Sequence, residues 1–187
     1  MNTRSQRERL VETGARMFHQ RGYTATGVRE VTSAAGVAQG SFTNHFRSKE
    51  QFGSEVLDHY AGLLDQIMNE TLLGASGLPA DRVAAYFDAI TRSLEEQDWA
   101  VGCLVPDLAG EIPAHSEVLR VRLAEQFLHQ TELFAQVLRD IVGADAAEDY
   151  AAFIMAAWHG TLLRTKVERD DRAIARFRRM LDRMLAE

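Results

Sequence analysis

The chain has 187 residues, 46% of them apolar and only three of them proline, enough for one or two small domains with real cores. No run approaches the roughly 20 apolar residues of a transmembrane helix, and the charged N-terminus has no apolar signal core behind it. A single cysteine excludes an internal disulfide and a cysteine-rich zinc site, which points to a cytoplasmic protein.

The net charge of −6 is unevenly spread. Residues 1–50 carry eight Arg/Lys and four Glu, whereas residues 51–187 carry thirteen basic and twenty-three acidic groups. The first quarter of the chain is therefore the part suited to approach a polyanion.

Ser5 and Glu8 have capping-box spacing, so a first helix begins between Thr3 and Gln6, and Gly22 is placed to end it. Thr26 is placed to cap a second, short helix with Val28, Val31 and Ala35 on one face. Gly36 then breaks the chain before a third helix, which is the layout of a helix-turn-helix. In that third helix Phe42 and Phe46 share a face opposite Ser41, Thr43 and Asn44. Ser48 with Gln51 starts a fourth helix running towards Leu73, closed by "GASGLP" at 74–79.

A fifth helix is expected over 81–96 and a short sixth near Pro106. The seventh covers 116–142, with Val118, Leu119, Leu123, Phe127, Leu133, Phe134 and Leu138 inward. An eighth helix is expected over 145–168 and a ninth over 172–186. No strand pattern is present, so the chain reads as all-α with about nine helices. Two domains are expected, a helix-turn-helix domain over residues 1–47 and a helical domain over residues 48–187. The small residues Ala157 and Gly160, beside Thr161, suit close helix approach. Ile174, Phe177, Leu181 and Met184 step by three and four, the seam spacing of packed helices, and such a seam fits a homodimeric four-helix bundle or an internal core.

The run "RERLVETGARMFHQRGYTATGVREVTSAAGVAQGSFTNHFRSKEQF" (7–52) resembles the DNA-binding domain of TetR-family transcriptional regulators. The ordered matches are Phe18, Gly22–Tyr23, Thr26, "AGV", His45–Phe46 and "SKE" at 48–50. The resemblance implies that residues 1–47 bind DNA and residues 48–187 bind an effector and dimerise, giving a homodimer on a near-palindromic double-stranded operator in which Gln39, Gly40, Ser41, Thr43, Asn44 and His45 face the duplex. Thr26, Arg29 and Lys49 are then placed for phosphates. Thr43 departs from the family, which commonly has tyrosine there, so operator sequence does not transfer from relatives.

"GCLVPDLAGE" (102–111) and "WHGTLLRTKVERD" (158–170) resemble the thiol-sensing branch of that family, which includes N-ethylmaleimide-responsive repressors. The resemblance implies Cys103 as sensor and Lys166 as its partner, with Trp99, Phe87, Phe127 and Trp158 as candidate pocket residues. A buried, inert Cys103 beside a reversible apolar ligand is the alternative. A helical enzyme or protein-binding module is more distant: Glu-x-x-His pairs, glycine-rich phosphate loops and Gly-x-Ser-x-Gly elbows are all absent. No cofactor, metal or membrane partner is expected.

Overall fold

The computed structural model describes residues 5–99 and 102–186. Those residues form nine α-helices and no strand. They are α1 (Gln6–Arg21), α2 (Val28–Ala34), α3 (Gln39–His45), α4 (Lys49–Met68), α5 (Pro79–Glu95), α6 (Leu104–Ala109), α7 (Glu117–Val142), α8 (Ala147–Glu168) and α9 (Arg172–Leu185). A π-turn (Asn69–Leu73) extends α4, and a 3-10 turn (Ile112–Ala114) follows α6. Among the described residues no helix is long and apolar enough to cross a membrane.

The helix starts follow from local chemistry. Ser5 Oγ accepts the Glu8 N–H at 3.2 Å while Glu8 accepts the Ser5 N–H at 2.8 Å, a reciprocal cap that opens α1. Thr3 lies outside the described residues. At α4 the Gln51 N–H donates to Ser48 Oγ, and Gln51 Oε1 accepts the Arg47 N–H. The start of α2 differs from the sequence expectation, because Gly27, not Thr26, occupies the cap position. The Thr26 hydroxyl donates inward to the Gly22 carbonyl at 2.7 Å, and Glu30 closes the helix start by accepting the Gly27 N–H at 2.9 Å.

The chain forms two compact units. One gathers the residues up to Gly62 with Leu104–Glu125; the other gathers Leu63–Cys103 with the residues from Gln126 onward. Two of the three crossings between units lie inside α4 and α7, and the third is the Cys103–Leu104 peptide.

In the first unit, Phe42, Phe46 and Phe52 form a buried aromatic triangle with centroids 5.0–5.3 Å apart. Phe18 joins it edge-on to Phe52 at 5.9 Å. Gly14 lets α1 approach α4 closely, since a Cβ there would collide with the Phe52 ring. Val118, expected inward, is 52% exposed, whereas its neighbour Leu119 is fully buried. The inward face of α7 therefore begins one residue later.

In the second unit, Phe87 is the centre of a buried aromatic layer, with Trp158 at 4.9 Å, Phe177 at 4.9 Å and Phe134 at 5.4 Å. The α9 seam is thus largely internal: Ile174, Phe177 and Leu181 are buried within their own chain. Asp98 and Trp99, just beyond α5, both hold left-handed φ values, 49° and 56°.

Candidate nucleic-acid interface

The helix-turn-helix is built around Gly36, whose φ of +61° is left-handed and favours glycine. The Val37 N–H closes the turn on the Thr32 carbonyl at 3.0 Å, and Val37 is buried beneath it. Phe42 and Phe46 then fasten α3 to the aromatic triangle, which leaves the opposite face outward.

On that face Gln39, Gly40, Thr43 and Asn44 are exposed, and Ser41 and His45 are half-buried. The Thr43 hydroxyl donates to the Gly40 carbonyl at 2.9 Å, so its one proton is engaged within the helix. A Cβ at Gly40 would meet nothing within 4 Å.

Of the residues proposed for phosphates, Arg29 is exposed at the start of α2, while Thr26 is 1% exposed and turned inward. The Lys49 ammonium lies 4.4 Å over the Tyr23 ring and donates to the Thr24 carbonyl at 3.3 Å. Burial lowers the Lys49 pKa, against the opposing pull of the Glu111 charge. Arg47 is exposed beside the cap of α4, and no sequence motif had singled it out. Two other basic residues of this unit are already paired, Arg21 with Glu30 at 2.8 Å and Arg7 with Glu55 at 2.6 Å.

Glu111 was also missed by sequence reading. Its Oε2 accepts the Tyr23 N–H at 2.9 Å and its Oε1 accepts the Thr24 N–H at 2.6 Å, across nearly ninety residues of chain. Burial would raise this carboxyl, but the hydrogen bonds from Thr24 and Tyr23 outweigh it and the pKa falls. Ser116 extends the same attachment by donating to Glu50 of α4.

In the second unit, Cys103 is buried and immediately precedes α6. The buried Tyr86 phenol is held far towards its neutral form by burial first, then by the Cys103 and Asp65 charges. Asp65 is 2.9 Å from His129 Nε2. The Asp65–His129 contact joins α4 to α7, and Tyr86 had no signal in the sequence beyond its helical position. Gln130 Oε1 and Thr165 Oγ1 are buried and have no hydrogen-bond partner among the described residues.

Phe87 and Trp158 pack against each other at a tilt inside the aromatic layer. Trp99 is half-buried, and Phe127 lies 5.1 Å from the His159 ring. Lys166 is half-buried in the last turn of α8. Thr161 is buried and donates to the Ala157 carbonyl, Gly160 is exposed and Met184 is half-buried.

Comparison with known proteins agrees with this architecture. Residues 10–56 match the family model described as bacterial regulatory proteins, tetR family. Residues 79–180 match the model of the LmrA/YxaF-like transcriptional regulator C-terminal domain. The chain is 36% identical over 177 residues to the HTH-type transcriptional repressor DhaR of Mycobacterium sp. (strain GP1), covering 91% of this chain and 87% of that protein. It is 30% identical over 169 residues to the HTH-type transcriptional repressor NemR of Escherichia coli (strain K12), covering 87% and 85%. A solved regulatory protein TetR from Rhodobacter sphaeroides superposes with a TM-score of 0.88 at 25% identity, covering 94% of this chain and 96% of that one. The reduced form of E. coli NemR superposes with a TM-score of 0.83 at 27% identity and covers 95% of each chain. A helix-turn-helix with an outward polar reading face, on an all-helical body matched through both domain models, places this chain in the TetR family of bacterial transcriptional regulators.

Proposed function

We propose that the protein is a homodimeric repressor whose two α3 helices read a near-palindromic operator, and that an effector acting in the second unit releases it. The observation that carries the reading is the division of α3, with Phe42 and Phe46 buried behind it and Gln39, Gly40, Thr43 and Asn44 exposed in front. Base edges are read by such groups, while Arg29, Arg47 and Lys49 supply the phosphate attraction. Ser41 and His45 flank that face. The family membership replaces the enzyme reading, since these regulators act by binding.

Support for a dimer comes from α8 and α9. Phe153, Val167 and Met180 are 62%, 82% and 54% exposed, and Phe153, Ala157 and Met180 line a groove of about 320 Å³ with Met184. Apolar side chains gathered in this way are the ordinary material of a subunit interface. Gly160 and Thr161 lie along the same helix, whereas Ile174 and Leu181 face their own chain's core.

For the effector, the position of Cys103 directly before α6 and the likeness to the repressor NemR support modification by an electrophile or oxidant, with Lys166 as the partner implied by resemblance. The partnerless Gln130 and Thr165 oxygens favour a second reading, a reversible small molecule that donates hydrogen bonds. Phe87, Phe127, Trp99 and Trp158 would supply its apolar surroundings. Titration of the DNA upstream of the protein's own gene, with and without N-ethylmaleimide, separates the two when repeated with Cys103→Ser. Release of DNA by the wild type alone supports the thiol sensor. Equal behaviour of the two proteins removes that sensor and leaves the regulator intact.

A further inference from the structure

The α1–α2 turn presents two consecutive backbone N–H groups, those of Tyr23 and Thr24, directly after Gly22 at φ +83°. Successive N–H groups converging in this way form a concave anion site. Here the anion is the chain's own Glu111, one carboxylate oxygen to each N–H. A Cβ on Gly22 would sit 2.5 Å from Glu111 Oε2, so the glycine also leaves room for the carboxylate.

The residues around the site connect it to the DNA-facing surface. Tyr23 packs edge-on against Phe18 at 5.4 Å and lies under the Lys49 ammonium. Lys49 in turn reaches the Thr24 carbonyl, so the turn held by Glu111 also holds the cation at the start of α4. Glu111 itself follows α6, which begins at the crossing beside Cys103.

We propose that Glu111 is a positioning residue for DNA binding: its carboxylate fixes the α1–α2 turn and, through Tyr23 and Thr24, the placement of Lys49 towards the operator backbone. The proposal rests on the DNA-binding reading of α3 and names a residue outside the helix-turn-helix on which that binding depends. Glutamine is the informative replacement, because it keeps the shape but offers one acceptor oxygen and turns an NH₂ towards an N–H donor.

The test compares wild type with Glu111→Gln in three measurements: amide exchange at Tyr23 and Thr24, the melting temperature, and the dissociation constant for the upstream DNA of its own gene. The expected result is exchange at those two amides accelerated roughly tenfold or more, and DNA binding weakened roughly tenfold, with melting within a few degrees of wild type. Glu111→Asp, which keeps the charge but shortens the reach, is expected to fall between the two. Unchanged DNA affinity overturns the proposal. Tighter DNA binding also overturns it, by showing that the carboxylate competes with phosphate. A global loss of exchange protection with a large fall in melting temperature overturns it in favour of a packing role. Failure of the wild type itself to bind DNA would count against the regulator reading, while the amide exchange of the free protein still reports on the contact.

Discussion

Gly40 stands in the middle of the reading face with no internal cause for being glycine. Its φ is not left-handed, and a Cβ there would meet open space. Glycine inside a helix costs about 0.5–1 kcal/mol relative to alanine. Close approach to a duplex is a reason to bear that cost. Gly40→Ala is therefore expected to raise stability by about that amount in urea unfolding while weakening operator binding, and equal DNA affinity would remove the close-approach role. Thr43 shows what residue-level sequence reading leaves open. Its identity marked a departure from the family, but only the structure shows the hydroxyl turned onto the Gly40 carbonyl. Thr26 is the same lesson reversed: a good capping residue whose hydroxyl finds the Gly22 carbonyl instead.

Helices were legible where their signals were local. The Ser5–Glu8 and Ser48–Gln51 spacings located two helix starts because the groups that satisfy each other lie three residues apart. The α9 periodicity was equally clear, yet period alone states that a stripe is buried and not against what. Phe177 meets Phe87 and Trp158 of its own chain. Glu111 was invisible for the opposite reason, since its partners are nearly ninety residues away and are backbone groups, which carry no sequence identity. On α8, His159 packs against Phe127 of α7, and burial lowers its pKa from 6.5 to about 4. The unfolded chain then binds a proton below pH 6.5 that the folded chain refuses until about pH 4. Stability is thus complete above pH 6.5 and falls as the pH drops towards 4, by up to about 3 kcal/mol from this one group. Urea melts between pH 4 and 7 should show that slope, and His159→Asn should flatten it.

At the scale of the whole molecule, the proposed dimer would bring two reading helices and their cations to bear together. If each protomer brings Arg29, Arg47 and Lys49 to phosphates, six neutralised charges give a log–log salt slope of about −5. A shallow slope would argue against phosphate-dominated binding. Phe153→Glu, placed in the exposed apolar groove, is expected to yield a monomer in sedimentation and to cut the salt slope to about half. Loss of the second head should also weaken operator binding by about 100-fold or more.

The connection after α5 bears on the molecule in a different way. Left-handed backbone costs about 1–2 kcal/mol at a residue with a side chain, and Asp98 and Trp99 adopt it in succession. A few residues later the chain reaches Cys103 and the single crossing between units that does not run through a helix. Backbone cost is therefore placed on the segment that leads to that crossing, close in sequence to the cysteine.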